Sequence, residues 1–225
     1  MASEAVEPHF NLATDPWIPV IYHDGVCREV SIEALFRDVN QIREISGDSP
    51  QQVEPILRLL LAILYRQLSQ GGTKTEDALL DWWGETWENG HFDLDGIVAY
   101  LSSVRDRFDL FDSSHPFYQM AGLDYADKDP DGVDELIADV PKSDKFLFSL
   151  RNKNRIDGLS FAEASRWLIF QQAYATAGIK TPVKGNTHVK SGKVYPPQGS
   201  CWHRHAGRRG RNVSRGCQPF PNPHA

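Results

Sequence analysis

The strongest hydrophobic pattern in the chain falls in VEPILRLLLAILYRQL (53–68). Apolar residues at 53, 56, 57, 60, 61, 64 and 68 recur at helical spacing and predict a helix with one wide face in the core. The preceding SPQQ predicts its start, with Ser49 as cap, Pro50 at the first helical position and Gln52 closing a capping box. Gly71-Gly72 predicts its end. Upstream the period changes. WIPVIY and VCREV flank His23-Asp24-Gly25, which predicts a β-hairpin, and Pro19 places its first strand at a sheet edge. Ser31 then caps a short helix, IEALFRDV.

Downstream, Thr75 caps EDALLDWWGETWE, in which Leu79, Trp83 and Trp87 share helical spacing and are expected in a core or interface rather than as base-stacking platforms. DLDGIVAYLSSVRDRF (93–108) predicts another helix, and DLFDSSHPFYQ (109–119) an exit into a loop and a short extended piece. Residues 122–142 are acidic, carry Gly and Pro, and are expected at the surface; KFLFSL (145–150) reads as a short strand or extended loop. Ser160 and Glu163 predict a capping box for SFAEASRWLIFQQAYATAG, with Gly178 just past the helix end and Phe161, Ala164, Trp167, Leu168 and Gln171 on one face. The fold class is therefore α+β, helix-dominated, with an early β-hairpin.

Composition narrows the setting. A hydrophobic fraction of 40% suits a globular chain with a real core. No apolar run approaches the ~18 residues of a membrane span. The N-terminus MASEAVEPHF lacks an apolar signal segment, which predicts a cytoplasmic protein. Three cysteines, Cys27, Cys201 and Cys217, make no disulfide framework. The net charge is −6, yet the last 25 residues hold five arginines and no carboxylate, so the first 200 carry −11. Net charge does not steer this body towards nucleic acid; contact with a polyanion must be local.

One stretch has the local chemistry. GIKTPVKGNTHVKSGKVYPPQGS (178–200) contains four lysines, four glycines, three prolines and no acidic residue. Glycines allow close backbone approach, and lysines without acidic neighbours suit phosphate. Lys180, Lys184, Lys190 and Lys193 are spaced along a segment expected to be a long flexible loop. A solvated loop without a ligand is the alternative. No GxSxG, P-loop, HExxH or CxxC motif is present. His115-Pro116 reads as a structural histidine at a helix exit. Cys201, His203, His205 and Cys217 have a spacing that matches no common zinc site, so neither a metal nor another cofactor is expected.

Several stretches together resemble the CasA family, the large subunit of the type I-E CRISPR surveillance complex, Cascade. They are FNLATDPWIPV, SIEALF, EPILRLLLAILYRQL, FDLFDSSHPFYQ and FQQAYATAGIKTPVKGNTHVKSGKVYP, in order, from about residue 10 to about residue 197. The resemblance implies no catalysis. It implies a subunit that reads the protospacer-adjacent motif in duplex DNA, aids R-loop formation and recruits a helicase-nuclease, while guide RNA reads the target by base pairing. Its implied partners are the other Cascade subunits, crRNA, double-stranded DNA and the helicase-nuclease. In the family a glycine-containing loop after the last helix enters the minor groove, whose degenerate code suits backbone and shape contacts. That implies Gly185, Asn186 and Gly192 at base edges, with Lys180, Lys184, Lys190 and Lys193 at phosphates. A second family loop with an aromatic residue, contacting the motif region and the crRNA end, aligns with KFLFSLRN and implies roles for Phe148 and Arg151.

The chain departs from the family after the lysine segment. CasA proteins are longer and end in a helical bundle. Here the chain ends CWHRHAGRRGRNVSRGCQPFPNPHA, which reads like a GC-rich gene translated in a shifted frame. The expectation is a partial CasA N-terminal domain over 1–197, a shift between about Tyr195 and Trp202, an out-of-frame, disordered tail over 198–225, and no C-terminal four-helix bundle. The competing readings are a small metal-binding protein using the tail's Cys and His, or a helical interaction module unrelated to CRISPR.

Overall fold

The computed structural model describes residues 8–70, 75–119, 121, 132–139 and 158–174, and the backbone of 178–180 and 192–194. The chain divides into two units, Met1–Asp109 and Leu110–Ala225.

The first unit begins with the predicted hairpin. Strands β1 (Ile18–Tyr22) and β2 (Cys27–Val30) pair antiparallel, with Ile18 opposite Val30 and Ile21 opposite Cys27. Tyr22 closes the turn twice: its carbonyl accepts from Gly25 N–H and its N–H donates to Val26 O, both at 2.9 Å. Gly25 takes a left-handed conformation at φ 83°, the geometry a three-residue hairpin loop requires. Asp24 Oδ1 accepts Val26 N–H at 2.9 Å and fixes the loop from within.

The edge assignment of Pro19 is corrected. A third strand, β3 (Ile42–Ile45), pairs antiparallel with β1, so the order is β2-β1-β3 and Pro19 lies in the central strand. Proline is tolerated because it stands where the β1–β3 ladder ends. Its carbonyl accepts Ser46 N–H at 2.8 Å, and the missing donor removes one bond from the end of the ladder. IREI carries no alternating pattern, which is why β3 escapes the periodicity reading.

Helix α1 (Ile32–Arg37) starts as expected, with Ser31 Oγ accepting Ala34 N–H at 3.1 Å, and buries Ile32, Leu35 and Phe36. Tyr22 OH donates to Asp38 Oδ2 at 3.1 Å and ties the hairpin to the end of α1. Burial, and then this carboxylate, push the Tyr22 phenol above its ordinary pKa.

The capping box before α2 is also corrected. Pro50–Gln52 form a 3-10 turn, Ser49 makes no side-chain cap, and α2 runs Val53–Gln70. Gln52 is fully buried and turns back to accept Asp48 N–H at 2.9 Å instead. The buried face of α2 comprises Ile56, Leu59, Leu60, Ile63, Leu64 and Leu68. Leu57 and Leu61, placed in the core by spacing, are exposed. The helix is so apolar that its inward face is set by Glu54, Arg58 and Arg66 turning outward, not by the apolar positions themselves. Gly71-Gly72 lie outside the described residues.

Helix α3 (Glu76–Asn89) is capped by Thr75, whose Oγ1 accepts Ala78 N–H at 3.3 Å, and ends at left-handed Gly90. It buries no residue fully, and Trp87 is 87% exposed, which overturns its placement in a core. Helix α4 (Leu94–Ser103) is capped by Asp93, which accepts Gly96 N–H at 3.0 Å, and buries Ile97 and Leu101. A Cβ on Gly96 would overlap the tips of the Asp93 and Gln67 side chains, so this glycine leaves room for the hydrogen bond that Gln67 Nε2 of α2 donates to Asp93 Oδ2 at 3.2 Å. A 3-10 turn, Arg105–Phe108, completes the unit.

The clasp of this unit is the stretch 11–17. Leu12 N–H donates to Phe108 O at 2.9 Å, and Asn11 Nδ2 donates to Arg105 O at 2.9 Å. Ala13 O accepts Glu33 N–H at 3.1 Å, at the start of α1. Trp17 is fully buried and its indole N–H donates to Leu12 O at 2.8 Å.

In the second unit, Asp112 Oδ1 accepts the N–H groups of Ser114, at 2.9 Å, and of His115. His115 thus belongs to a turn built on Asp112. Gln119 Nε2 donates to Leu110 O at 2.9 Å, across the bend at Tyr118, whose φ is 49°. Helix α5 (Phe161–Tyr174) starts as expected, with Ser160 Oγ accepting Glu163 N–H at 3.1 Å. Of its expected apolar face, Trp167 and Leu168 are buried with Ala162, Ser165, Arg166 and Ile169, whereas Phe161 is exposed and stacks edge-on with Phe111 at 4.7 Å.

Two outcomes are expected. Trp17→Phe keeps most of the buried ring but leaves the Leu12 carbonyl short of a donor, costing about 1–3 kcal/mol. Trp17→Ala adds a cavity and costs about 3–5 kcal/mol. Urea unfolding monitored by circular dichroism orders the three proteins; equal midpoints would contradict the clasp. The second concerns pH. The N–H of His115 holds the Asp112 carboxyl below its ordinary range; burial opposes it, and the Ser114 N–H adds a smaller lowering. A depressed folded pKa stabilises above the unfolded value and loses that contribution as pH falls through the folded one. The stability gap between the wild type and Asp112→Ala should therefore be full at neutral pH and shrink on acidification. A gap that widens in acid would contradict it.

Candidate nucleic-acid interface

The lysine segment follows α5, and α5 supplies its foundation. Trp167 is fully buried and meets Phe170 edge-on at 5.4 Å; Phe170 in turn meets Tyr174 at 4.8 Å. Ser165 is fully buried and donates its hydroxyl to Phe161 O at 2.8 Å, within the helix's own first turns. Gln171 Nε2 donates to Leu136 O at 3.1 Å, beside the 3-10 turn Val133–Glu135, where Leu136 and Ile137 are buried. The helix that precedes the segment in sequence is thus tied by packing and by a long-range hydrogen bond.

The reading of 178–200 as a loop throughout is corrected. Gly178 opens a strand, and residues 175–177, between it and the last described residue of α5, lie outside the described residues. Strands β4 (Gly178–Lys180) and β5 (Gly192–Val194) pair antiparallel, with Gly178 opposite Val194, Ile179 opposite Lys193 and Lys180 opposite Gly192. Three of the residues expected at DNA are therefore in a ladder: Lys180 and Gly192 face each other as a pair, and Lys193 pairs with Ile179. Both ends of 181–191 depart from the same Lys180–Gly192 pair. Lys184, Gly185, Asn186 and Lys190 lie outside the described residues, as do Phe148 and Arg151. Sequence reasoning misses β4 and β5 because GIK and GKV are three residues long, too short for a period to register.

Other chemistry is sparse. Among the described residues, no group of three His, Cys, Asp or Glu is arranged to hold a metal ion. Cys201, His203, His205 and Cys217 lie outside those residues. No helix among the described residues is long and apolar enough to cross a membrane.

Comparison with known proteins supplies the identity. A crystal structure of Thermobifida fusca Cse1 superposes with a TM-score of 0.69 at 40% identity, covering 84% of this chain and 34% of that one. The CRISPR-associated protein CasA/Cse1 of Thermus thermophilus is 36% identical over 172 residues, 76% of this chain and 32% of that protein. A chain from a structure described as a CRISPR RNA-guided surveillance complex shares the fold, with a TM-score of 0.68 at 18% identity over 86% of this chain and 40% of that one. This chain therefore spans about a third of the length of the Cse1 relatives it matches. The family profile described as CRISPR-associated protein Cse1 matches residues 11–214, a span that takes in the clasp, all five helices and the lysine-bearing ladder. The chain belongs to the CRISPR-associated Cse1 (CasA) family.

Proposed function

We propose that this chain represents the N-terminal portion of the DNA-recognising large subunit of an RNA-guided CRISPR surveillance complex, and that the segment 178–194 is its contact with target duplex. The observation that carries this reading is a lysine-bearing antiparallel ladder, rooted after α5, in a chain of the Cse1 family. Pairing of β4 with β5 brings the two ends of the lysine segment side by side, a geometry that suits approach to a groove. Lys180, Lys184, Lys190 and Lys193 neutralise phosphates, and Gly185, Asn186 and Gly192 give the backbone access to the minor-groove edges of the protospacer-adjacent motif. Phe148 and Arg151 contact the motif region and the crRNA end.

The acidic body is consistent with this division. With −11 over the first 200 residues, net charge does not attract a duplex, so contact falls where basic residues cluster, along 178–194 and around Arg151. The other subunits and crRNA of Cascade complete the binding surface, and the helicase-nuclease that cuts is a separate protein. The chain itself performs no catalytic step. In this reading 1–197 is the functional part of the chain and 198–225 an out-of-frame tail. Resequencing the coding DNA from codon 190 onward tests that boundary. An open shifted frame that continues the family sequence supports it, and the absence of one overturns it.

Duplex affinity as a function of salt tests the DNA assignment. Every lysine–phosphate pairing removed flattens the slope of log K against log salt by about 0.9. Replacing Lys184 and Lys190 with alanine should therefore weaken binding of a duplex carrying the motif and reduce the slope by about 2. An unchanged affinity and slope would refute the assignment.

A further inference from the structure

Helix α3 carries a face that is exposed among the described residues. Its sequence EDALLDWWGETWEN includes Glu76, Asp77, Asp81, Glu85 and Glu88 and no lysine or arginine. Among the described residues none of these five carboxylates is in an ion pair. The half-buried side of the helix holds Leu79, Trp82 and Trp83, the two indoles meeting edge-on at 4.6 Å. The strip beside it exposes Leu80 at 62% and Trp87 at 87%, seven residues and two turns apart.

Gly84 lies between them. Glycine inside a helix is unfavourable by about 1 kcal/mol relative to alanine. A Cβ at Gly84 would meet nothing within 4 Å, so packing within the fold does not call for a glycine here. Its φ is not positive either, so no turn demands it. What Gly84 does is leave a dip between two exposed apolar side chains, bordered by Asp77, Asp81 and Glu88 on the same side of the helix. A dip of that kind admits a side chain from another molecule.

We propose that this face of α3 docks a cationic segment of a partner protein, with an aliphatic or arginine side chain seated over Gly84 between Leu80 and Trp87. Charge selects the occupant. Five carboxylates repel a phosphate backbone and attract lysine and arginine. The Trp87 ring attracts a guanidinium or ammonium over its face, while the alkyl stems of these residues cover Leu80. The proposal is independent of the DNA contact assigned to 178–194.

The test uses the full chain and a fluorescently labelled amphipathic peptide of leucine and lysine, with a twin in which every lysine is glutamate. Fluorescence anisotropy should detect the basic peptide, weakened by salt, and not the twin. Asp81→Lys with Glu85→Lys, and separately Trp87→Ala, should each weaken binding about tenfold. Gly84→Leu should fill the dip and weaken binding while leaving the melting temperature equal to or above that of the wild type. A charge-matched control on other exposed carboxylates, Glu44→Lys with Asp106→Lys, should stay within about twofold. Binding insensitive to Gly84→Leu and Trp87→Ala, or an equal drop in the control, would overturn the proposal. So would a duplex oligonucleotide competing at α3, or a dimer in sedimentation that Trp87→Ala dissolves.

Discussion

The carbonyl of Leu12 is the point on which the first unit depends. It accepts the indole N–H of fully buried Trp17 at 2.8 Å and the Ile32 N–H at the head of α1 at 3.4 Å. The amide of the same residue reaches Phe108, and Asn11 beside it bridges to Asp109 and Arg105. A seven-residue stretch near the N-terminus thus joins the hairpin, α1 and the end of the helical run, elements about a hundred residues apart in sequence. The turn holds itself as well: Asp15 N–H donates to Asn11 O at 2.7 Å, and Asn11 N–H to Asp15 Oδ2 at 2.6 Å. Buried backbone groups need partners, and here nearly every polar atom of the turn has one.

That arrangement gives FNLATDPWIPV a structural role in the first unit. Asn11 and Asp15 make the turn, Leu12 and Trp17 fill the core beneath it, and Pro19 sits where a strand can lose one donor. The lysine segment is supported in a different way. It follows an α-helix whose aromatic ladder, Trp167–Phe170–Tyr174, runs from a fully buried ring to an exposed one, and its limbs are a short two-stranded ladder. One segment identifies the fold and another carries the proposed contact with DNA.

Legibility in the sequence follows the same physics. The hairpin is readable because His23-Asp24-Gly25 demands a left-handed residue and supplies a glycine. Helix starts at Ser31, Thr75 and Ser160 are readable because each side chain has one obvious backbone partner. Faces are less readable. Between Ile56 and Leu64 only Arg58 is charged, so apolar spacing alone cannot choose between Leu57 and Leu59 as the buried one. Trp87 is misplaced by spacing for a related reason, since spacing reports which residues share a face and not whether that face is covered. Strands of three or four residues, β3, β4 and β5, carry too few positions for a period, and they are fixed by partners distant in sequence. The chemistry of 178–200 is legible as composition; its pairing is not.

Hydrogen exchange on the full chain, with and without a duplex bearing the motif, tests the central assignment most directly. The account predicts slowed amide exchange across Gly178–Val194, with the acidic helix α3 unchanged. Protection at α3 or along the hairpin β1–β2, with none across 178–194, would contradict it and would move the site of duplex contact elsewhere on the molecule.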